Sequence, residues 1–594
     1  MYGCTKKGGT AEIINFVLSW TEFFIFEFIL IYGGIFIMKL TGADITIKLL
    51  EKCGIDVIAG IPGGTNLPLY DSLFKSDIKH VLARHEQGAA FIAQGIARST
   101  GKAAVCFATS GPGATNLLTA IADAKLDSVP IIAITGQVPY SYMGTDSFQE
   151  VDIYGLTIPI TKHNFLVRSV EQLFHVIPEA FRIAESGRQG PVLVDIPKDI
   201  QNTEFEFDEW PDIERFSEKC DFDIDESLIK KAAKMINEAE RPILYVGGGI
   251  TNSDCGKDLH KFAEKNNIPV TSTLMGLGNF PIDNPLFLGM LGMHGARYTN
   301  LLLNKADLLL AFGVRFDDRA IGNVNKFCPD AEIIHVDIDD AEIDKIKKSH
   351  LSICGDVQSV LNKIITLIEK NERKDWLGYI EDLKREKPMV FPSKDKYFHP
   401  INIIKNISGL VEKDTIITTD VGQHQMWTAQ AYPITAPRTF LTSGGLGTMG
   451  FGLPTAIGAA IANPDKQVVC FSGDGSFLMN IQELATLADL NLNIKIIILN
   501  NGHLGLVRQQ QQLFYNEHYM ASKFITRPDF AKISEGFGIK GYNIKNDDEN
   551  LMEILKDIFA EDGPVLVNIP IDNFENVFPM IPPGGGISEM VGGE

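Results

Sequence analysis

"VVCFSGDGSFLMN", Val468–Asn480, decides the fold. An apolar strand runs into Gly-Asp-Gly, and the pattern then turns helical and amphipathic. Glycines let a backbone approach a ligand closely, and a helix N-terminus favours phosphate. Asp474, at the strand end, suits Mg²⁺, a hard cation that bridges carboxylate and phosphate oxygens. Alone, the stretch reads as readily as a strand–turn–helix with a capping Asp. The reading sharpens 27 residues later (501 − 474 = 27), in "KIIILNNGHLG", Lys495–Gly505. There a second strand ends at Asn501, which brings another oxygen. One helix and one strand separate the two ends, which makes their loops neighbours across a parallel sheet.

Outward from there the same grammar repeats. "AAVCFATSG", "VPIIAITG", "PILYVGGG", "DLLLAFGV", "EIIHVDID" and "TIITTDVG" are near-continuous apolar runs, most of them ending in Gly, Asp or Ser. Such runs are expected of strands buried on both faces. Alternating with helical stretches, they predict an α/β chain of doubly wound parallel sheets, with ligand loops at strand C-termini. Two polar stretches, Pro197–Asp223 and Asn371–Pro400, read as linkers. They leave blocks over 38–205, 225–370 and 395–575, with 576–594 as a C-terminal tail. "GPVLVDIP" (Gly190–Pro197) recurs as "GPVLVNIP" (Gly563–Pro570), closing the first and third blocks. A duplicated α/β domain with an unlike one inserted explains that placement.

The chain has 594 residues and a formal net charge of −21, which argues against nucleic acid as a partner. The eight cysteines contain no Cys-x-x-Cys pair, and several lie in apolar runs. They read as small buried hydrophobes in a reducing, cytoplasmic compartment. The first 37 residues stand apart. "INFVLSWTEFFIFEFILIYGGIFI" has the length of a membrane span, but Glu22 and Glu27 interrupt it, at a cost of about 2.5–3.5 kcal/mol each near mid-membrane. No small-residue cleavage site follows, and Met38 opens an ordinary soluble pattern. Residues 1–37 therefore read either as upstream sequence translated from a wrong start or as an anchor.

"VLARHEQGAAFIAQG", Val81–Gly95, holds the carboxylate of Glu86 among small residues. On a helix, Glu86, Ala90, Ala93 and Ala97 share a side made for close packing. An exposed first-turn Glu balancing the helix dipole is the plain reading. A buried acid lifted above its ordinary pKa by desolvation is the functional one.

With Gly-Asp-Gly and Asn-Asn in place, the chain resembles the thiamine diphosphate enzymes. "FATSGPGATNLLTAIADAKLDSVPIIAITGQV", "MLGMHG", "GVRFDDR", "TSGGLGTMGFGLPTAIGA" and "FPMIPPGG" narrow the resemblance to the catalytic subunits of acetohydroxyacid (acetolactate) synthase, from Met38 to the C-terminus. The resemblance implies three doubly wound parallel-sheet domains: pyrimidine-binding (38–205), FAD-binding (225–370) and diphosphate-binding (395–575), with 576–594 as a tail or lid. Asp474, Asn501 and the backbone carbonyl of His503 would bind Mg²⁺. Glu86 would face N1′ of the aminopyrimidine and help create the 4′-imino group that takes the C2 proton. Met449 would sit under the cofactor and hold its V shape. Gly63, Pro112, Asn116, Val421, Gly422, Gln423, His424, Gly447, Gly475, Ser476 and Leu506 would complete the thiamine diphosphate site.

For FAD, retained without net redox chemistry, the resemblance implies Arg188, Gly247, Gly248, Gly249, His294, Gly295, Arg315, Asp337 and Asp356. The glycines themselves are a weak signal, because Asn252 stands where G-x-G-x-x-G needs its last Gly. Arg319 would take the acceptor's carboxylate, and Phe148, Gln149 and Lys198 would come from a neighbouring subunit. The implied reaction joins a two-carbon unit from pyruvate to pyruvate or 2-oxobutanoate, the start of branched-chain amino-acid synthesis. A homodimer or homotetramer is implied, with a regulatory small subunit as a further partner. Pyruvate oxidase and a non-catalytic nucleotide-binding protein are the rivals. One departure stands out. Many family members carry Trp in "QGMVxQWQ", whereas here "LGLVRQQQQ" places Gln510 there. Loss of the aromatic wall predicts weak preference for 2-oxobutanoate.

Overall fold

In the computed structural model, residues 31–32, 35–212, 223–545 and 550–593 are described. The apolar N-terminal stretch falls outside them as far as Leu30, as do Cys4 and Cys220. No described helix is long and apolar enough to cross a membrane. None of the six described cysteines is in a disulfide.

Three six-stranded sheets organise the chain, and every pairing within them is parallel. The first comprises β2 (Val57–Gly60), β3 (Lys79–Leu82), β4 (Ala104–Ala108), β5 (Ile131–Gln137), β6 (His163–Leu166) and β7 (Val192–Pro197), in the order β3-β2-β4-β5-β7-β6. β1 (Met38–Thr41) lies outside it, antiparallel to β8 (Glu204–Phe207). The second comprises β9 (Pro242–Val246), β10 (Val270–Ser272), β11 (Phe287–Met290), β12 (Leu308–Phe312), β13 (Glu332–Asp337) and β14 (Leu351–Cys354), in the order β11-β10-β9-β12-β13-β14. The third comprises β15 (Ile416–Thr419), β16 (Phe440–Leu441), β17 (Val468–Gly473), β18 (Ile494–Asn500), β19 (Lys540–Asn543) and β20 (Val565–Pro570), in the order β16-β15-β17-β18-β20-β19.

The first and third sheets thus share one strand order, and the second has another. The repeated octapeptide supplies β7 and β20, which hold equivalent positions, each next to an edge strand. The duplication with an unlike insert is therefore a property of the topology. Every apolar run read as a strand in the three blocks forms one. β4, β5, β7, β9 and β12 are buried along their whole length, as helices on both faces require.

The helices that matter are α1 (Glu86–Thr100), α2 (Pro112–Asn116), α3 (Leu118–Leu126), α4 (Lys198–Asn202), α5 (Gly248–Asn252), α6 (Lys374–Glu386), α7 (Gln423–Ala431), α8 (Gly452–Ala462), α9 (Asp474–Phe477), α10 (Glu483–Leu490) and α11 (Gly505–Phe514). The helix after Gly-Asp-Gly breaks after one turn, so α9 and α10 replace the single amphipathic helix that the sequence suggested. The two polar stretches are only partly linkers. The first forms α4 and β8, which stay with the first sheet. In the second, α6 buries Trp376, whose indole N–H donates to Pro242 O at 3.1 Å, against the second sheet. The tail docks there too, burying Ile581, Ile587 and Met590.

The first and third units meet along α1 and α8. A Cβ on Gly95 would stand 2.2 Å from Thr455 O, and one on Gly458 would stand 1.9 Å from Ile92 O. Only glycine permits this crossing, since overpacking of this kind costs about 1–3 kcal/mol. The small face read from the sequence divides its duties. Ala90, Ala93 and Ala97 pack inside the first unit, and Gly88, Ala89 and Gly95 face the third.

Candidate active site

In a doubly wound sheet, ligands collect where the strand order reverses. The three sheets reverse between β2 and β4, between β9 and β12, and between β15 and β17. The residues singled out for cofactors cluster at these places.

At the third switch point, β15 leads into Asp420, Val421 and Gly422, which open α7. β17 leads into Asp474, and β18 pairs beside it with Gly473 opposite Leu499. This brings Asn501 next to the Gly-Asp-Gly turn. A small cavity here is lined by Val421, Gln423, His424, Met449, Gly475, Ser476, Asn501 and His503, among others. Asp474 lies behind its wall. Backbone N–H groups of Asn501, Gly502 and Gly475 point at its carboxylate, yet burial lifts its pKa to about 6. Asn501 donates from Nδ2 to Gln423 Oε1 at 3.1 Å, and its Oδ1 accepts the His503 N–H at 3.0 Å. The His503 ring turns back onto Asn501 O at 2.9 Å. His424 is buried, its pKa pushed down to about 3, and its Nε2 has no partner. A neutral imidazole with an orphaned nitrogen in this cavity fits a diphosphate oxygen. One carboxylate, one amide oxygen and the backbone carbonyl of His503, in a turn bridged to Lys523, fit an oxygen-loving divalent cation.

At the second switch point a cavity of about 1360 Å³ opens between the units. Arg188, Gly247, Gly248, Gly249, His294, Arg315, Asp337 and Asp356 line it. Gly295 does not: it packs on the backbone of Met290 and Leu291. The glycines have two different reasons. A Cβ on Gly247 would stand 2.4 Å from Gly313 O, and one on Gly249 2.5 Å from Gly313 Cα, so both serve the contact between the β9 and β12 loops. A Cβ on Gly248 would meet nothing closer than Met275 at 3.4 Å. Burial lifts Asp337 to about 6 and lowers His294 to about 4. Arg188 already pairs with Glu342 at 2.6 Å and Asp339 at 3.1 Å. The volume, the helix N-terminus of α5 and the mixed charges fit a dinucleotide.

The same cavity continues to Arg319, Gly447, Leu506 and Gln510. The Arg319 guanidinium is largely exposed, with Met293 Sδ 3.6 Å from Nη1. Beside the first switch point, Glu86 opens α1 after the edge strand β3 and accepts a hydrogen bond from Asn116 Nδ2, on the segment after β4, at 2.9 Å. Glu86 is half-buried there, not fully enclosed. Pro112 begins α2, and a Cβ on Gly63 would strike Thr109 at 2.5 Å. Gly111, at φ 61°, lies against the backbone of Gln149. Phe148 is 87% exposed, and Lys198 opens α4, half-buried. Glu86, Asn116, Phe148, Gln149 and Lys198 line neither cavity.

The sequence did not flag Arg98, Asp123, Asp127, Asp420 or Glu483, all of which brace these loops. The spacing of Asp123 and Asp127, one turn apart in the mostly apolar "TAIADAKLD", is the signal that could have found two of them.

Fold and site define a thiamine diphosphate enzyme. Family models for thiamine pyrophosphate enzymes match all three units: the N-terminal TPP binding domain over residues 40–156, the central domain over 229–364 and the C-terminal TPP binding domain over 420–569. The chain is 54% identical over 555 residues to the acetolactate synthase isozyme 1 large subunit of Escherichia coli, covering 93% of this chain and 98% of that one. It is 45% identical over 567 residues to a probable acetolactate synthase large subunit of Methanocaldococcus jannaschii, covering 93% and 95%. With acetolactate synthase 1, chloroplastic, of Zea mays it shares 46% over 566 residues, covering 93% and 88%. The chain belongs to the acetolactate synthase large-subunit family of thiamine diphosphate-dependent enzymes, and these relatives favour the synthase reading over pyruvate oxidase.

Proposed function

We propose that the protein decarboxylates pyruvate and transfers the two-carbon unit to a second 2-oxo acid, pyruvate or 2-oxobutanoate. Thiamine diphosphate, when bound, supplies the electron sink that makes loss of CO₂ possible. The chain's own residues do the rest. Asp474, Asn501 and the His503 carbonyl would hold Mg²⁺, and His424, Gly475 and Ser476 would receive the diphosphate. Met449 supports the cofactor from the same cavity. Glu86, fixed by Asn116, shares a proton with the aminopyrimidine N1′. Arg319 binds the acceptor's carboxylate through its guanidinium. The residues of the large cavity would hold FAD as a structural group.

One observation carries this reading. Arg319 and Gln510 line a single cavity with Gly447 and Leu506, which supports an anion site beside the cofactor loop. Glu86 and Asn116 line neither cavity of their own chain. A second copy, contributing Glu86, Phe148, Gln149 and Lys198, therefore completes each site, and a homodimer is the smallest active form. Relatives carry the name large subunit, which supports a regulatory small subunit as partner. The six described cysteines, none of them in a disulfide, suit a cytoplasmic enzyme. Purified protein given pyruvate, Mg²⁺ and thiamine diphosphate releases CO₂ and yields acetolactate without an external electron acceptor. Oxygen consumption matched to CO₂, with no acetolactate, refutes the proposal.

A further inference from the structure

The segment Thr442–Gly450 is the wall between the two cavities. Ser443, Gly444, Gly445 and Gly447 line the large one, and Met449 lines the small one. Its far end is held within its own unit, where Asp420 accepts the N–H of Gly450 at 2.8 Å. Its near end is held from both sides: within its own unit Gln425 Nε2 donates to Thr442 Oγ1 at 2.7 Å and to Ser443 O at 3.0 Å, and from the first unit a buried ion cluster reaches it.

Asp127 accepts the Gly444 N–H at 3.0 Å and the Gly445 N–H at 2.7 Å. Asp123 accepts the hydroxyls of Ser443 and, at 2.9 Å, Thr448. Arg98, the only cation bonded to this carboxylate pair among the described residues, reaches Asp123 at 2.9 Å and Asp127 at 2.8 Å and donates to Thr442 O at 3.1 Å. The side chains of both aspartates are fully buried. Arg98 stacks over Phe451, 4.9 Å from the ring centre, and Gln94 Oε1 accepts from two of its nitrogens. A buried ion cluster is a poor device for stability alone, because desolvation offsets most of the Coulomb gain. It is a good device for geometry, since every member is satisfied in only one arrangement. Arg98 and Asp127 also line the large cavity themselves.

We propose that Arg98, Asp123 and Asp127 are positioning residues that couple the flavin cavity to the thiamine diphosphate site. They fix the near end of the Thr442–Gly450 wall, so a ligand that orders one face orders the other. The mechanism is thermodynamic linkage: two ligands that favour one loop arrangement strengthen each other's binding by the same factor. This inference rests on the reading of the two cavities as flavin and cofactor sites.

The test is a pair of binding titrations on the full-length protein stripped of both cofactors. Thiamine diphosphate with Mg²⁺ is titrated with and without saturating FAD, and FAD binding is followed by flavin fluorescence. In the wild type, FAD tightens thiamine diphosphate binding by about 5–150-fold, the usual range of site coupling. Asp127→Ala brings that ratio to near one. Asp127→Asn, which keeps one acceptor for the Gly445 N–H, retains part of it. A merely structural role changes the melting temperature and each affinity but leaves the ratio intact. Thr448→Val, which removes one hydroxyl and leaves the charges, reduces the ratio even if Asp127→Ala does not fold. Both cofactors binding with an unchanged ratio in the variants, or a wild-type ratio of one, overturns this proposal alone. No FAD binding to the wild type overturns the cavity assignment with it.

Discussion

Glu483 sits in α10 of the third unit, yet its carboxylate organises the segment that delivers Glu86. Oε1 accepts the backbone N–H of Arg84 at 3.0 Å and of His85 at 3.1 Å. Oε2 accepts the Thr486 hydroxyl at 2.7 Å. The residue is buried, and a Cβ on Gly88 would stand 2.3 Å from Oε1, so glycine there leaves room for the carboxylate. Glu483→Ala removes the acceptor of two backbone donors. Each buried donor without an acceptor costs about 1–3 kcal/mol, so about 2–6 kcal/mol is at stake, less whatever water entering the gap restores. Part of it appears as lower stability and part as a shifted Glu86. A misplacement of about 1 Å at a reacting group costs on the order of 100-fold in rate. The expectation is a kcat lowered by one to two orders of magnitude with a modest change in KM for pyruvate. Glu483→Gln keeps an oxygen for both N–H groups and loses little. Acetolactate formation under saturating cofactor measures the rate, and hydrogen exchange at the Arg84 and His85 amides reports the anchor directly. Faster exchange in the Ala variant with wild-type kcat refutes the link to Glu86. Equal damage in Ala and Gln refutes the role of the acceptor.

Three further outcomes follow from the same geometry. Asp474→Ala abolishes Mg²⁺-dependent cofactor retention, whereas His503→Ala, which leaves the backbone carbonyl, loses far less; cofactor remaining after gel filtration distinguishes them. Gln510→Trp restores an aromatic wall to the acceptor side of the cavity, where one methyl group is worth about 10–200-fold in discrimination; it raises the ratio of acetohydroxybutyrate to acetolactate about tenfold under competition. Burial lifts Asp195 from an ordinary 3.8 to about 7, despite hydrogen bonds from Thr135 and Gln137. A raised carboxyl pKa contributes stability that is full below about pH 4 and lost as pH rises through 7, so the unfolding midpoint of Asp195→Asn, relative to wild type, climbs across that window and then levels.

Strand identity was legible because a strand buried on both faces is written in consecutive apolar residues, a signal that needs no partner. The Asp474–Asn501 pairing was legible for a related reason. One helix and one strand of intervening chain leave a parallel sheet only one way to bring the two ends together. What could not be read is what depends on the other units. The Gly247–Gly249 turn looked like a defective phosphate loop, because a sequence does not show that Gly313 lies against two of its three glycines. Asp127 and the N–H of Gly444 are 317 residues apart, beyond any periodic signal.

The placement of Glu86 follows the same logic at the scale of the assembly. The first and third sheets share one strand order, so each carries a switch point of the same kind, and one cofactor with a pyrimidine end and a diphosphate end needs one of each. Within a single chain, α1 and α8 pack so tightly that glycines are required at the crossing. On the proposed reading, Glu86, which lines neither cavity of its own chain, serves the site of a second copy. In the proposed homodimer, a twofold axis would bring each first-unit switch point to the other's third-unit switch point, and the same operation would create two sites at once. Under this arrangement the glycine crossing does more than pack helices. It fixes the angle at which Glu86 is presented to the partner, so Gly458→Ala disturbs catalysis in the dimer at a distance from either cavity.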